Sequence, residues 1–595
     1  MSGRAVEHKM QKHNVDRPSR TIAATMPNST TTNNTPLDRS LLFLQAVQPN
    51  SLPNNPLFTR ILRHAHRHRP AITDLNLHLT KTYADLISDT LSLRNALRQH
   101  LRSKDIAALD RDEEVYVAVL AAGGYEWAVA MLGVLALGAA VVPLSVDQPV
   151  AEVGWCVQKA GCVGLICARA VRGLAGEVAS AVQAEDGLDA PVVLEAMECL
   201  PSAPEFRAED VVVSSGPCLD DGKPALVIFT SGTTGRPKGC VLRRLYTHES
   251  AATVIDSFDI SAEDTVLHVL PVHHATGIGT SFFPFMNAGA WICFRSGSFE
   301  PAWVWEKICD GTVTVFSGVP TMYMRLMWYY EQKSEPERSR YDHGARRLRA
   351  LLCGSSALQQ RVQDFWTAVR NGRPILVRYG SSEVPSVIRT PARLDPATIP
   401  RGCVGLPSPG LDWKISDEGE LLLRSPFMFS KYLHDREATV EAHTSEGYFR
   451  TGDLAHVDEQ GFIFIDGRVS TDIIKSGGYK IGAPDIERAL LALPYVKEVM
   501  VVGVEDEEFG QRVGAAVVLK SASDQLSVTR LRTDLKSSLA GYKMPTLLRT
   551  VEGELPKGET GKVQKKILGP RYFHPERWRE DPEIQVWRSS RSSKL

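Results

Sequence analysis

The chain has 595 residues, 43% of them hydrophobic and 23% charged, with a formal net charge of −1. That length exceeds one typical hydrophobic core, so at least two domains are expected, and the composition is that of a soluble globular protein. Near-neutrality gives no reason to expect nucleic acid or an anionic membrane as the main partner. Ten cysteines lack metal-ligand spacing, and no secretory signal is evident, which points to reduced thiols inside a cell.

Residues 1–36 carry five Lys/Arg against two acids and then an Asn/Ser/Thr run. Such a stretch cannot build a core, so residues 1–40 are expected to be a disordered tail, with a mitochondrial transit peptide as the rival reading. Ala128 to Val146 is 19 residues without a charge. Gly133, Gly138 and Pro143 break it into a helix and a strand, so no membrane span is expected. From about 55 to 405, short β-like runs alternate with helical patterns. Strands are predicted at Val115–Ala121, Val141–Leu144, Val163–Cys167, Ala225–Phe229, Thr265–Leu270, Val313–Phe316 and Leu351–Cys353, with helices such as Trp127–Leu137 and Pro320–Tyr330 between them. The alternation predicts a large α/β domain with mostly parallel sheets. Glu331–Arg349 reads as a charged surface excursion. Residues 406–467 turn to glycine-punctuated alternation, as at Glu420–Arg424, and predict a small β subdomain. A second α/β unit follows, with Asp485–Leu493, Val496–Val504 and Val513–Leu519.

The run Leu226 to Gly239 ends a buried strand in a loop of hydroxyls, glycines and one lysine. Glycines let backbone N–H groups converge on an anion, hydroxyls add donors, and Lys238 supplies a mobile positive charge. The loop therefore reads as a triphosphate grip. It is not the common nucleotide P-loop, because Pro237 precedes the lysine and Gly239 follows it.

This loop resembles the signature of the adenylate-forming superfamily, which includes acyl-CoA synthetases, luciferases and peptide-synthetase adenylation domains. Later motifs resemble that family in order: Tyr379-Gly380-Ser381-Ser382-Glu383, Tyr448 to Asp453, Asp466-Gly467-Arg468, Lys475 to Ile481 and Pro556 to Lys562. The resemblance covers roughly residues 40–570. It implies an AMP-binding domain at 41–468, a small mobile α+β lid domain at 469–570, and a tail at 571–595. It also implies an enzyme that joins a carboxylic acid to the thiol of coenzyme A through an acyl-adenylate, using ATP and Mg²⁺.

Acid activation requires that the phosphates be held and that charge developing at phosphorus be stabilised, so positioning and electrostatics carry most of the reaction. By resemblance, Thr230, Ser231, Gly232, Thr233, Thr234, Gly235 and Lys238 hold the phosphates, and Thr234 is also a candidate catalytic group. Glu383 is the candidate Mg²⁺ ligand, since such sites use one or two carboxylates beside phosphate oxygens. Tyr379 and Gly380 face adenine, Ser382 keeps the hydroxyl of the usual threonine, and Asp453 and Arg468 serve the ribose. Gly354, Ser355 and Ser356 line the nucleotide and acid pockets. Lys562 is the candidate lysine of the first half-reaction; on composition alone Lys557 and Lys565 are equal candidates. Lys475 and Gly478 belong to a second face of the lid that serves thiol attack, with Val469–Ser470 as pivot. A Gly-Gly turn by itself is an ordinary hairpin signal.

Arg378 is the sharp feature for the acid. Arg-Tyr-Gly resembles the malonyl-CoA synthetase branch, which implies that its guanidinium grips a distal carboxylate in a bidentate pair, helped by His274 and Ser356. Thr276 and Ser381 to Pro385 depart from that branch. A structural ion pair for Arg378 is the plainer alternative. A longer or specialised acid, or a carrier-protein thiol in place of CoA, remain rival readings. The last residues, Ser593-Lys594-Leu595, match a peroxisomal address read by an import receptor; mitochondrion and cytoplasm are the alternatives.

Overall fold

The computed structural model describes residues 48–588 apart from 185–188, 217, 231–235, 356–357, 359, 469–472, 522–524, 557–562 and 564. The candidate phosphate-loop residues Ser231 to Gly235, Ser356, the candidate pivot Val469–Ser470, Lys557, Lys562, the expected tail 1–40 and the tripeptide Ser593–Leu595 thus lie outside the described residues.

Two twisted sheets form the large domain, and both are parallel in the middle. In the first, Pro224–Thr230, Ala140–Leu144, Tyr116–Leu120, Gly164–Cys167 and Val192–Glu195 run parallel, and Lys238–Arg243 and Lys431–Tyr432 close one edge antiparallel. In the second, Leu376–Tyr379, Ala350–Cys353, Val315–Gly318, Thr265–His268, Trp291–Phe294 and Pro70–Asp74 are parallel neighbours in that order. Strands covered on both faces read as continuous apolar runs, which is why seven of these strands were legible without strict alternation, while Pro70–Asp74, Val192–Glu195, Trp291–Phe294 and Leu376–Tyr379 were not named. Asp412–Ile415, Glu420–Arg424, Phe449–Val457 and Ile463–Arg468 make the antiparallel β subdomain.

The uncharged span is helix Tyr125–Leu137, ended by Gly138 at φ 90°, then strand Ala140–Leu144. Among the described residues no helix is long and apolar enough to cross a membrane. Two expectations are corrected. Glu331–Arg349 is mostly helix Glu335–Arg347, started by a Ser334/Glu337 capping box, with Tyr341 and Ala345 buried and Trp305 stacked 4.9 Å from Tyr341. The segment from 571 is not a tail as far as 588: Ile584–Val586 adds an antiparallel strand beside Leu547–Thr550, and Phe573 and Trp578 are buried. The small-domain sheet comprises Tyr479–Gly482, Ile473–Ser476, Gly510–Leu519 (with Val496–Asp506 beside it), Leu547–Thr550 and Ile584–Val586.

Candidate active site

A cavity of about 1140 Å³ is lined from both the large and the small domain. Strand geometry sets the candidate phosphate corner beside it. Thr230 and Lys238 are direct partners across the antiparallel pair that flanks the hydroxyl-rich loop. Lys238 Nζ lies 5.1 Å from the centroid of Tyr432, whose hydroxyl donates to Glu383 Oε1 at 2.9 Å. Lysine, tyrosine and glutamate thus meet from three separate segments. Tyr432 was missed in the sequence, because its two-residue edge strand carries no motif.

Gly380 to Glu383 form a tight turn. The Ser381 N–H donates to Val384 O at 2.9 Å, and a methyl group at Gly380 would lie 2.3 Å from Ser386 N, so only glycine fits. Beside it the Tyr379 hydroxyl donates to Asp453 Oδ2 at 2.7 Å. Asp453 is buried and stands opposite Arg468 in the antiparallel register. The candidate adenine and ribose residues therefore share one corner, at the joint between the second sheet and the β subdomain.

The candidate acid end centres on Arg378. Its side chain is buried, 6% exposed, and its Nε and Nη2 have no hydrogen-bond partner among the described residues. No carboxylate among the described residues forms an ion pair with it; Cys353, Tyr323 and Tyr246 are its neighbours, and burial pulls its pKa below the ordinary arginine value. The ion-pair alternative therefore finds no partner there. A methyl group at Gly354 would lie 2.7 Å from Arg378 Nη1, so that glycine leaves room for the guanidinium across the strand end. Ser355, at φ 73°, sits with its Oγ 3.0 Å from Thr276 Oγ1. His274 lines the same wall with Nε2 unpartnered among the described residues, and burial lowers its pKa to about 4, so the ring is neutral at physiological pH. Tyr246, which sequence reading missed, closes this end: its hydroxyl would lie 1.8 Å from a methyl group at Gly279.

The small domain enters through the hairpin of Ile473–Ser476 and Tyr479–Gly482. Its two turn residues, Gly477 and Gly478, have φ of 58° and 85°, the left-handed pair that a two-residue hairpin needs. A methyl group at Gly478 would sit 2.7 Å from Val319 Cγ1, so the turn is pressed against the large domain. Tyr479 stacks on Tyr542 at 4.0 Å and meets His274 edge-on at 5.2 Å. Two ion pairs flank this contact, Arg325–Glu508 at 2.8 Å and Lys543–Glu152 at 3.5 Å. Ser476 to Tyr479 line the cavity, whereas Lys475 does not; its N–H donates to Gln511 Oε1 at 2.9 Å. Of the late lysines, Lys565 is held by Glu487 at 2.9 Å, away from the cavity wall.

Residues 60–433 match the AMP-binding enzyme family, and residues 485–562 match the AMP-binding enzyme C-terminal domain. The chain belongs to the AMP-binding enzyme family. A malonate–CoA ligase of Arabidopsis thaliana is 33% identical over 76% of this chain and 77% of its own length. The mitochondrial malonate–CoA ligase ACSF3 of Homo sapiens is 32% identical over 87% and 92%. A solved malonyl-CoA ligase, in a ternary product complex with methylmalonyl-CoA and AMP, superposes with a TM-score of 0.68 at 27% identity, covering 88% of this chain and all of that one. This AMP-binding enzyme is an AMP-forming acid–CoA ligase, with ATP and coenzyme A as substrates, built as a large sheet-and-helix domain and a small β-rich one.

Proposed function

We propose that the acid is malonate or a similarly short dicarboxylate. The supporting observation is Arg378: a buried guanidinium with two donors unpartnered and no acidic neighbour among the described residues costs free energy unless a bound anion satisfies it. Its planar fork suits a carboxylate. Neutral His274 and the Thr276–Ser355 hydroxyl pair add polar contacts without a second fixed charge.

In this reading the distal carboxylate pairs with Arg378, which orients the other carboxylate toward the α-phosphorus. One of its oxygens attacks and pyrophosphate leaves. The thiol sulfur of CoA then attacks the acyl carbon and AMP leaves. Lys238 holds phosphate charge, and Asp453 and Tyr379 orient the nucleoside. Lys562 bridges the first junction, and the Gly477–Gly478 hairpin lines the thiol's approach. One carboxylate beside a phosphate-binding lysine, with one oxygen already held by Tyr432, fits a magnesium ion that arrives on the nucleotide. Glu383 would ligate that ion, which neutralises the leaving phosphates.

The test is acid-dependent AMP release with ATP, Mg²⁺ and CoA across malonate, methylmalonate, acetate, octanoate, palmitate and an aryl acid. The expected result is the highest kcat/KM for malonate or methylmalonate, by about tenfold or more over every monocarboxylate. Preference for a monocarboxylic chain would overturn the dicarboxylate reading and favour a longer or specialised acid. We propose peroxisomal import through Ser593–Leu595, tested by imaging the protein with and without the tripeptide; mitochondrial signal is the opposing outcome.

A further inference from the structure

The chain goes on folding past residue 562, where the C-terminal family match ends. Helix Lys565–Tyr572 leads to strand Ile584–Val586, whose Gln585 stands opposite Leu548. Trp578 is buried and donates its indole N–H to Glu505 O at 3.1 Å, and Gln585 Oε1 accepts the Val528 N–H at 2.9 Å. The extension is therefore built into the small domain.

It also brings Trp578, Arg579, Trp587 and Arg588 to the wall of the cavity that holds the Gly477–Gly478 turn. The guanidinium of Arg532 lies 3.7 Å over the Trp587 ring, and one of its nitrogens donates to the carbonyls of Met544 and Pro545. Among the described lining residues, six arginines stand against two glutamates. Arg378 belongs to the acid end. Arg325 is tied to Glu508, and Arg512 and Arg579 share Asp506. Glu507 lies in the adjoining depression with them. Arg532 and Arg588 have no acidic partner among the described residues, so this wall keeps an excess of positive charge beside the half-buried ring of Trp587.

We propose that the C-terminal extension recognises the phosphorylated nucleotide end of coenzyme A, with Arg579, Arg588 and Arg532 as phosphate donors and Trp587 as the aromatic surface beside them. Guanidinium forks match phosphate oxygens, and an indole offers a face to a purine. A free thiol arm without the nucleotide gains nothing from this wall. The inference rests on CoA as the acceptor, and it holds whichever acid is activated.

The test compares kcat/KM for CoA, dephospho-CoA and pantetheine in the full-length enzyme and in Arg579→Ala/Arg588→Ala, using the preferred acid. The expected result is a fall of about tenfold or more for CoA, carried by KM, with the pantetheine value unmoved, so that the CoA-to-pantetheine ratio collapses. A larger loss for CoA than for dephospho-CoA places the 3′-phosphate at these arginines; equal losses place the pyrophosphate there. Equal losses for CoA and pantetheine, or an unmoved ratio, would overturn the proposal. Arg588→Ala, at an exposed position, gives the same ratio test if the double variant does not fold. Transfer to a carrier-protein thiol but not to CoA in the wild type would instead sink the acceptor reading itself.

Discussion

Arg378→Ala is expected to lower kcat/KM for malonate by about 10²–10³-fold while leaving monocarboxylates unchanged or improved. Removing one partner of a buried, hydrogen-bonded charge pair costs about 2–5 kcal/mol, because the other charge stays in the cavity unpaired, and each 1.4 kcal/mol is about a factor of ten. Arg378→Lys is expected to fall between, since an ammonium keeps the charge but loses the fork. The thermal midpoint separates this role from a structural one. Arg378 buries two guanidinium donors that find no partner among the described residues, so a neutral residue there is expected to leave the midpoint unchanged or raised. A clear drop in the midpoint, with malonate selectivity retained, would return Arg378 to the fold.

Gly478→Ala is expected to cut thioester formation by about 10- to 100-fold while acid-dependent pyrophosphate exchange persists. The residue has φ 85°, where an L side chain costs about 1–2 kcal/mol, and its new methyl would meet Val319 Cγ1 at 2.7 Å. That clash acts while the hairpin is docked in the cavity, the arrangement proposed above for thiol attack. Stopped-flow separation of the two half-reactions checks it. Equal losses in both would show that the turn serves the whole active site rather than its second step.

What the sequence made legible was what local chemistry determines. Apolar runs buried on both faces named seven strands of the two large-domain sheets, though not Pro70–Asp74, Val192–Glu195, Trp291–Phe294 or Leu376–Tyr379, and the Tyr379 to Glu383 motif placed a turn that only Gly380 can make. Arg378 was visible as a residue type in a place, but its lack of an ion-pair partner needed three dimensions. Contacts joining distant segments were not legible. Glu383 and Tyr432 are 49 residues apart, and neither that hydrogen bond nor the Gly279–Tyr246 packing leaves a periodic or motif signal. Helix Glu335–Arg347 was masked by its charge, because only Tyr341, Gly344 and Ala345 face the core. The segment after 571 was misread for a related reason. Its buried Phe573, Trp578 and Ile584 are widely spaced, so their packing shows only once Leu547–Thr550 is there to receive a neighbour.

The most direct test of a carboxylate held by Arg378 is the ratio of kcat/KM for malonate to that for its monoamide, an isostere that lacks the distal charge. A ratio of about 100 or more in the wild type, falling toward unity in Arg378→Ala, is the predicted result. Near-equal use of the two acids by the wild type would contradict it, and would leave an acid–CoA ligase whose pocket selects on something other than a second carboxylate.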